Sequence, residues 1–371
     1  MTVDSTTQRI ARLTPLAAIL TLIRSRVAIV PSRRVRLVEA RGAVLAEDVR
    51  PGERPARAIA LRDGFAVAAA EIADAGPYAP VPLSLTACRV DVGNTLPSGT
   101  DAVVPVDAVA LRGDRAEAIA AVAPGEGVLP AGGDATSATA LRRAGERLRA
   151  LDLTAIAAAG IGEVTIRSPR IVMARASPAK SSWLDAAQAT LARCAAAAGC
   201  AVRDPPCTLA QALSDGQGDA VIGIGGTGSG RRDDAVQELA RRGQVDAHGI
   251  AISPGETAAF GFVGGRPVLL VPGRLDAALA VWLLIGRELT ARLAGGSVDD
   301  TPVLATLHRK VTSSIGIAEL IAVSCRDGMA EPLGSGYLSL TALGHSDGWI
   351  VVPPDSEGFA AGSEVAVNRW P

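Results

Sequence analysis

Between residues 170 and 293 the chain alternates short apolar runs with amphipathic segments, and no other feature narrows its fold as much. Residues 170–174 (RIVMA), 219–224 (DAVIGI) and 267–271 (PVLLV) are apolar at nearly every position rather than at every second one. A strand of that kind must be covered on both faces. The intervening segments 182–198, 209–213, 234–242 and 275–293 repeat apolar residues at helical spacing, and Gly199 and Gly243 close two of them. Ala201-Val202 begins a further strand and residues 258–263 another. Strand–helix alternation with short connections predicts a parallel sheet sandwiched between two helix layers.

The flanking regions read differently. After Thr14-Pro15, Leu16, Ile19, Leu20 and Ile23 predict one short amphipathic helix. Residues 35–49 mix a strand with a helical turn. Residues 51–133 hold short β-like runs (82–90, 102–111 and 115–122) separated by glycine, proline and asparagine. Residues 141–166 read as a strand-like piece, a helix from near Asp152 to Gly160, and another strand, and from Thr301 onward β-like segments such as 349–352 return.

With 371 residues the chain suits two to four domains at roughly 100–200 residues each. Only 3% is aromatic, so the cores must be built from Ala, Val, Leu and Ile, and a stacking platform for single-stranded nucleic acid is not expected. A net charge of −1 gives no field steering the molecule to nucleic acid or an anionic membrane. The apolar run 16–23 is too short to span a bilayer and no small-residue cleavage site follows, so a cytoplasmic protein without a membrane partner is expected. Cys88, Cys194, Cys200, Cys207 and Cys325 form no C-x-x-C pair and read as reduced, buried thiols. With His248, His308 and His345 far apart, a His/Cys metal cluster is not expected. Lysine occurs only at 180 and 310, so an anion site here must use arginine or backbone amides.

Residues 221–236, VIGIGGTGSGRRDDAV, are where such a site is expected. Gly223, Gly225 and Gly228 satisfy G-x-G-x-x-G between a strand and a helix. The strand does not open the α/β unit, however, and several residues separate Gly228 from the helix start, which argues against a dinucleotide fold. A P-loop is excluded because Gly-Lys-Ser/Thr is missing. What remains is a nest of backbone amides at the carboxyl end of a strand, where α/β sheets bind ligands. Asp233 or Asp234 is placed to cap the next helix, and Arg231 and Arg232 are either anion clamps or solvated charge. Ser253-Pro254-Gly255 and Pro272-Gly273-Arg274 are two further sharp turns, each an ordinary turn alone. Three such loops in one α/β unit point to a shared crevice. In the β-rich part, Asp63-Gly64 is a turn signal, and residues 93–104 (GNTLPSGTDAVV) read as a loop entering a strand.

These stretches, in this order, resemble the molybdopterin molybdenumtransferase family (MoeA, and the E domain of gephyrin). Its pattern S-x-M-D-G-Y-A-V is met by ALRDGFAV, and T-G-A-x-L-P-x-G-A-D-A-V-V by VGNTLPSGTDAVV. G-G-V-S-x-G-x-x-D is met by GGTGSGRRD, K-P-G-K-P-x-A-F-G by SPGETAAFG, and L-P-G-N-P-x-S-A by VPGRLDAA. The likeness runs from VRLVEARGAVLAEDV to SDGWIVVPPDSEGFAAGSEVAV, nearly the whole chain.

The resemblance implies an α/β multi-domain molecule. A MogA-like three-layer αβα molybdopterin-binding domain (169–300) carries an N-terminal helix (1–26). A connecting domain (27–50 and 135–168), a β-rich lobe (51–134) and a C-terminal β-barrel-like domain (301–371) complete it. Family members insert molybdenum from molybdate into adenylylated molybdopterin and release AMP, with a divalent cation (Mg2+) assisting. They act as homodimers whose crevice is completed by the second subunit's lobe, and a client molybdoenzyme is a further implied partner.

By motif position the resemblance makes Asp63, Asp134 and Asp233 the catalytic carboxylates, the first two from the opposite subunit. Asp233 and Asp101 become the metal ligands. Gly225, Gly226, Thr227, Gly228, Ser229, Ser253, Pro254, Gly255, Pro272 and Gly273 line the molybdopterin pocket.

The sequence also departs from the pattern. Ser253 and Glu256 replace both lysines of K-P-G-K, Gly228 the loop serine, Val92 the threonine of T-G-A, and Arg274 and Leu275 the Asn-Pro. Where the family has S-T-G-D-E-L, this chain reads ARASPAKSSW. Losing two lysines from an anion site costs on the order of several kcal/mol if each charge-assisted bond contributes ~1.5–3. Arg231, Arg232 and Arg274 lie outside the family pattern and are the expected compensation. A divergent insertase and a paralogue that binds molybdopterin, the mature cofactor or a client without turnover are both consistent with these residues. A gephyrin-like scaffold is a third reading, and a dinucleotide-dependent oxidoreductase an outside one.

Overall fold

The computed structural model describes residues 8–85, 87–113, 115–176, 181–203, 207–298 and 301–371. Lys180 and most of the segment preceding the helix at 182 lie outside them. The chain divides into two compact units: Met1–Glu47, Ala144–Arg149 and Thr165–Pro371 form one, and Asp48–Arg143 and Ala150–Val164 the other.

In the larger unit, α1 (Leu16–Arg26) precedes a seven-stranded sheet. Its elements in chain order are β1 (Arg170–Arg175), α2 (Ser182–Ala197), β2 (Ala201–Val202), β3 (Cys207–Thr208), α3 (Leu209–Ser214), β4 (Ala220–Ile224), α4 (Ala235–Arg242) and β5 (Gln244–His248). β6 (Ile252–Ser253), β7 (Ala259–Val263), β8 (Arg266–Val271) and α5 (Leu275–Val281) follow, β6 lying outside the sheet. The strand order is β2-β1-β4-β8-β7-β5, with β3 also pairing β1.

The apolar runs are buried on both faces, and the alternation of side chains sorts them into two cores. Ile171, Met173, Ile222, Ile224, Leu269 and Val271 pack with α1, α2 and α5. Val172, Ala174, Val221, Val268 and Leu270 face the other way, against Leu209 and Leu213 of α3 and Val236 and Leu239 of α4. This is the αβα sandwich that the sequence predicts.

The sheet is mixed rather than parallel throughout. β1, β2, β3, β4 and β8 run parallel, but β7 is antiparallel to β8 and β5 antiparallel to β7. The two-residue turn Gly264-Gly265, both at positive φ, is too short for a crossover and forces β7 and β8 into a hairpin. The helix predicted over 275–293 is continuous but not uniform: α5 passes through a π-helical stretch, Trp282–Gly286, into α6 (Arg287–Ala294).

The last part of this unit is a closed barrel of β9 (Val303–Leu307), β10 (Ala318–Arg326), β11 (Met329–Pro332), β12 (Gly348–Val352) and β13 (Glu364–Arg369). The ring runs β10-β11-β9-β13-β12 and closes through the β10–β12 pair. β6 attaches to its outside, parallel to β10, joining Ser253 to Glu319 in register.

The smaller unit is β-rich. One three-stranded sheet places Gly64–Val67 between Cys88–Val90 and Ala102–Pro105, and a second contains Val81–Pro82, Arg115–Ala118 and Val109–Arg112. The Asp63-Gly64 step does not form a two-residue hairpin, because Ile59–Ala60 pairs with Val128–Leu129 instead. The helix expected from Asp152 spans Ala150–Ala158. Of the five cysteines, Cys194 and Cys200 are buried, Cys207 and Cys325 half-buried, and Cys88 exposed, so the expectation of uniformly buried thiols fails.

Candidate active site

β4 and β8 end side by side, and the chain leaves both through glycine. Gly225 donates its amide to Val271 O (2.9 Å), extending the ladder by one residue. Gly225 and Gly226 then adopt φ of +84° and +70°, which turns the chain back on itself. A Cβ on Gly226 would stand 2.8 Å from Ala176 Cβ and 3.2 Å from Ala235 Cβ, so both the conformation and the space exclude a side chain.

The loop is held from behind by side chains. His248 Nε2 donates to Thr227 O (2.9 Å), and the Thr227 and Thr257 hydroxyls meet at 2.9 Å. Asp233 Oδ2 accepts from the Gly230 amide (3.0 Å), while Asp233 N donates to Gly230 O (3.0 Å). Asp233 therefore closes a tight turn around its own carboxylate rather than capping α4. Asp234 occupies the N-cap position, but its side chain makes no capping bond.

These loops border a cavity of about 530 Å³, enough for a pterin-sized ligand. Gly225, Gly226, Thr227, Gly228, Arg232, Asp233, Gly255, Pro272, Gly273 and Arg274 all line it. The three turns read from the sequence thus converge on one crevice at the carboxyl ends of parallel strands. Ser229, Arg231, Ser253 and Pro254 are not part of its lining. Arg231 is exposed, and Ser253 is the β6 residue paired with the barrel.

Of the three arginines expected to replace the missing lysines, Arg232 and Arg274 reach the cavity. Arg274 is already engaged: its Nε and Nη2 bond Asp276 Oδ1 and Oδ2 at 2.9 and 2.8 Å. Asp276 is 1% exposed and takes a third bond from the Leu338 amide (3.2 Å). The bond to Asp276, with the nearby Glu256 adding a smaller contribution, raises the Arg274 pKa further above its ordinary value. Glu256, where the family has lysine, accepts from the Gly255 amide (3.1 Å) and also lines the cavity.

Several lining residues were not anticipated. Trp183 and Leu184, in the first turn of α2, form an apolar wall, and Trp183 is 44% exposed. Trp183 ends the segment that departs from the family pattern and Leu184 follows it, and part of that segment (177–180) lies outside the described residues. Thr257 and His248 carried no signal, since a lone histidine and threonine fit any strand end. Asp276 could have been read from the R-x-D spacing after Pro-Gly, which suits a local ion pair.

The remaining predicted acidic residues belong to the smaller unit and are exposed there. Asp63 Oδ1 accepts from the Val92 amide (2.8 Å) and Asp101 Oδ1 from the Ala69 amide (2.7 Å). Asp134 donates its own amide to Arg54 O (2.9 Å).

Three family models match in succession: the MoeA N-terminal region (domain I and II) over residues 5–160, a molybdopterin binding domain over 165–292, and the MoeA C-terminal region (domain IV) over 305–370. A Methanocaldococcus jannaschii protein named for molybdopterin biosynthesis is 26% identical over 374 residues, covering 90% of this chain and 91% of the relative. Molybdopterin molybdenumtransferase 2 of Mycobacterium tuberculosis is 28% identical over 380 residues, 90% of this chain and 94% of its own. Among solved structures, the molybdopterin biosynthesis MoeA protein of Pyrococcus horikoshii superposes with a TM-score of 0.78 at 24% identity, covering 97% of this chain and all (100%) of that one. The αβα sandwich with its glycine crevice, the β-rich unit, the closed barrel and the three successive matches lead to one assignment: this chain belongs to the MoeA family of molybdenum cofactor biosynthesis.

Proposed function

We propose that the chain inserts molybdenum from molybdate into adenylylated molybdopterin and releases AMP, working as a homodimer in the cytoplasm. The observation that supports this most directly is the crevice loop. The amides of residues 226–229 have no protein acceptor among the described residues, while the carbonyls of residues 226, 227 and 228 are bonded. Such a row of donors is suited to the phosphate of a bound pterin. Residues 169–300 are assigned the ligand-binding role, and residues 51–134 the acidic lobe that completes the crevice of the second subunit.

No group of three or more His, Cys, Asp or Glu side chains gathers among the described residues, so a divalent cation here would rest on Asp233 together with the oxygens of the substrate. Asp233 lines the cavity and spends only Oδ2, on Gly230, and Mg2+ is commonly held by one or two carboxylates together with substrate phosphates. Asp101 likewise keeps one oxygen after bonding Ala69. Bound there, the cation would neutralise phosphate charge as the adenylate leaves. The chain's own residues bind and orient: the loop amides hold the terminal phosphate, Trp183 and Leu184 shield the ring system, and Arg232 adds positive charge at the rim. On this reading Asp63 and Asp134 are the catalytic carboxylates that come from the opposite subunit.

A second reading is favoured by one specific contact. Glu256 puts a carboxylate where the family has a cation, and Arg274 is neutralised by Asp276, so the pocket is less positive than the family pattern requires. On that reading the chain binds molybdopterin, the finished cofactor or a client molybdoenzyme without turnover. Complementation of a strain lacking its insertase, scored by molybdoenzyme activity, separates the two. Rescue supports insertion. Failure of rescue by a chain that still binds molybdopterin establishes the binding role, and failure of both removes the site assignment.

A further inference from the structure

The segment before α1 does more than lead into the helix. Thr14 donates its amide to Gly249 O (2.9 Å) and accepts from Ala251 N (2.8 Å), so residues 8–14 run as a strap beside the end of β5. Gly249 makes room for it: a Cβ there would stand 2.4 Å from Ile10 Cγ2. At the strap's far end Gln8 is only 7% exposed. Its Nε2 donates to Gly226 O and to Gly228 O, both at 2.7 Å. Both partners are acceptors, which sets the orientation of the amide, and Oε1 is left buried without a protein partner.

Gln8 and His248 together hold three consecutive carbonyls, those of Gly226, Thr227 and Gly228. A peptide plane whose carbonyl is anchored on one side presents the next residue's N–H on the other. We infer that Gln8 is a positioning residue: by fixing the carbonyls behind the crevice loop it holds the amides of residues 227 and 229 toward the anion of the ligand. Docking of the N-terminal strap and ligand binding at the loop are consequently coupled, each stabilising the other. Only the ligand side of this inference rests on the molybdopterin reading, since the loop–strap contact stands by itself.

The full-length chain and two variants test it. Gln8→Met keeps the volume and removes both donors. Gln8→Glu also loses both when ionised, but its neutral carboxyl can return one. Buried against two carbonyl oxygens, that carboxyl titrates above the usual glutamate range, so donation is present at low pH and is lost as pH rises. Hydrogen exchange over residues 225–235 reports the loop without any ligand, because Gly225, Gly230 and Ala235 donate bonds there. Gln8→Met is expected to speed exchange about fivefold or more and to weaken molybdopterin binding about tenfold. Gln8→Glu should match it at pH 8 and recover toward wild type at pH 5, with wild type measured at both. Exchange in Gln8→Met equal to wild type overturns the positioning role. Should wild type itself not bind molybdopterin, the functional reading fails while the exchange result still decides the role of Gln8.

Discussion

At the scale of single residues, the site is a contrast between what each side chain holds and what it leaves free. Asp233 is the clearest case: it lines the cavity, and only one of its two oxygens is spent, on Gly230. Asp233→Asn retains an oxygen acceptor for the loop but removes the charge. Molybdopterin affinity is therefore expected to stay within about threefold while turnover falls by about 10²–10³, the usual loss for a group that stabilises developing charge. Equal losses of affinity and turnover would show that Asp233 acts only through the loop. The motif makes Asp233 and the paired glycines legible in the sequence alone. Gln8 and His248 are not, because a backbone carbonyl can be held by almost any donor and leaves no spacing rule in the sequence. A thiol shows the same dependence on context. Burial pushes Cys200 up to about 12, so it stays protonated at pH 8, whereas Cys88 is exposed. Iodoacetamide at pH 8 should label Cys88 and spare Cys200 until denaturant is added. Because the folded thiol holds its proton more tightly than the unfolded one, this contribution to stability is intact below about pH 8.5 and declines as pH rises toward 12.

At the scale of elements, uniform apolar runs were enough to predict strands covered on both faces, and the two cores follow from their parity. Direction was harder to read. β7 is apolar enough to sit in a parallel core, and its antiparallel course depends on Gly264-Gly265 rather than on its own residues. β5, Gln-Val-Asp-Ala-His, is an edge strand whose polar content hid it. Helix starts carry more local information. Thr208 and Gln211 form a capping box, with Gln211 N donating to Thr208 Oγ1 (3.3 Å) and Thr208 N to Gln211 Oε1 (3.1 Å). Thr208→Ala removes the hydroxyl acceptor and should cost about 1 kcal/mol. The denaturation midpoint then falls with no change in slope, and a midpoint equal to wild type would show that tertiary contacts alone hold α3.

At the scale of the whole molecule, the family assignment distributes the proposed acidic residues over two units, each with its own core. Asp233 belongs to the larger unit, and Asp63 and Asp134 to the smaller. If each crevice takes its α/β loops from one subunit and its lobe from the other, a defect in either can be repaired by a partner carrying the opposite defect. Homodimers of Asp63→Ala and of Asp233→Ala should each be inactive, since both copies of the crevice lack one carboxylate. Random exchange of equal amounts makes about half of the dimers mixed, and each mixed dimer regains one intact crevice of two. Activity should then recover to about a quarter of wild type. Dimers built from lobes and loops of the same subunit would give none, because every crevice would keep its own lesion. Following subunit exchange with a tag on one variant separates that outcome from a simple failure to mix. Recovery near a quarter also argues against a scaffold role, which needs the fold but not the opposed carboxylates.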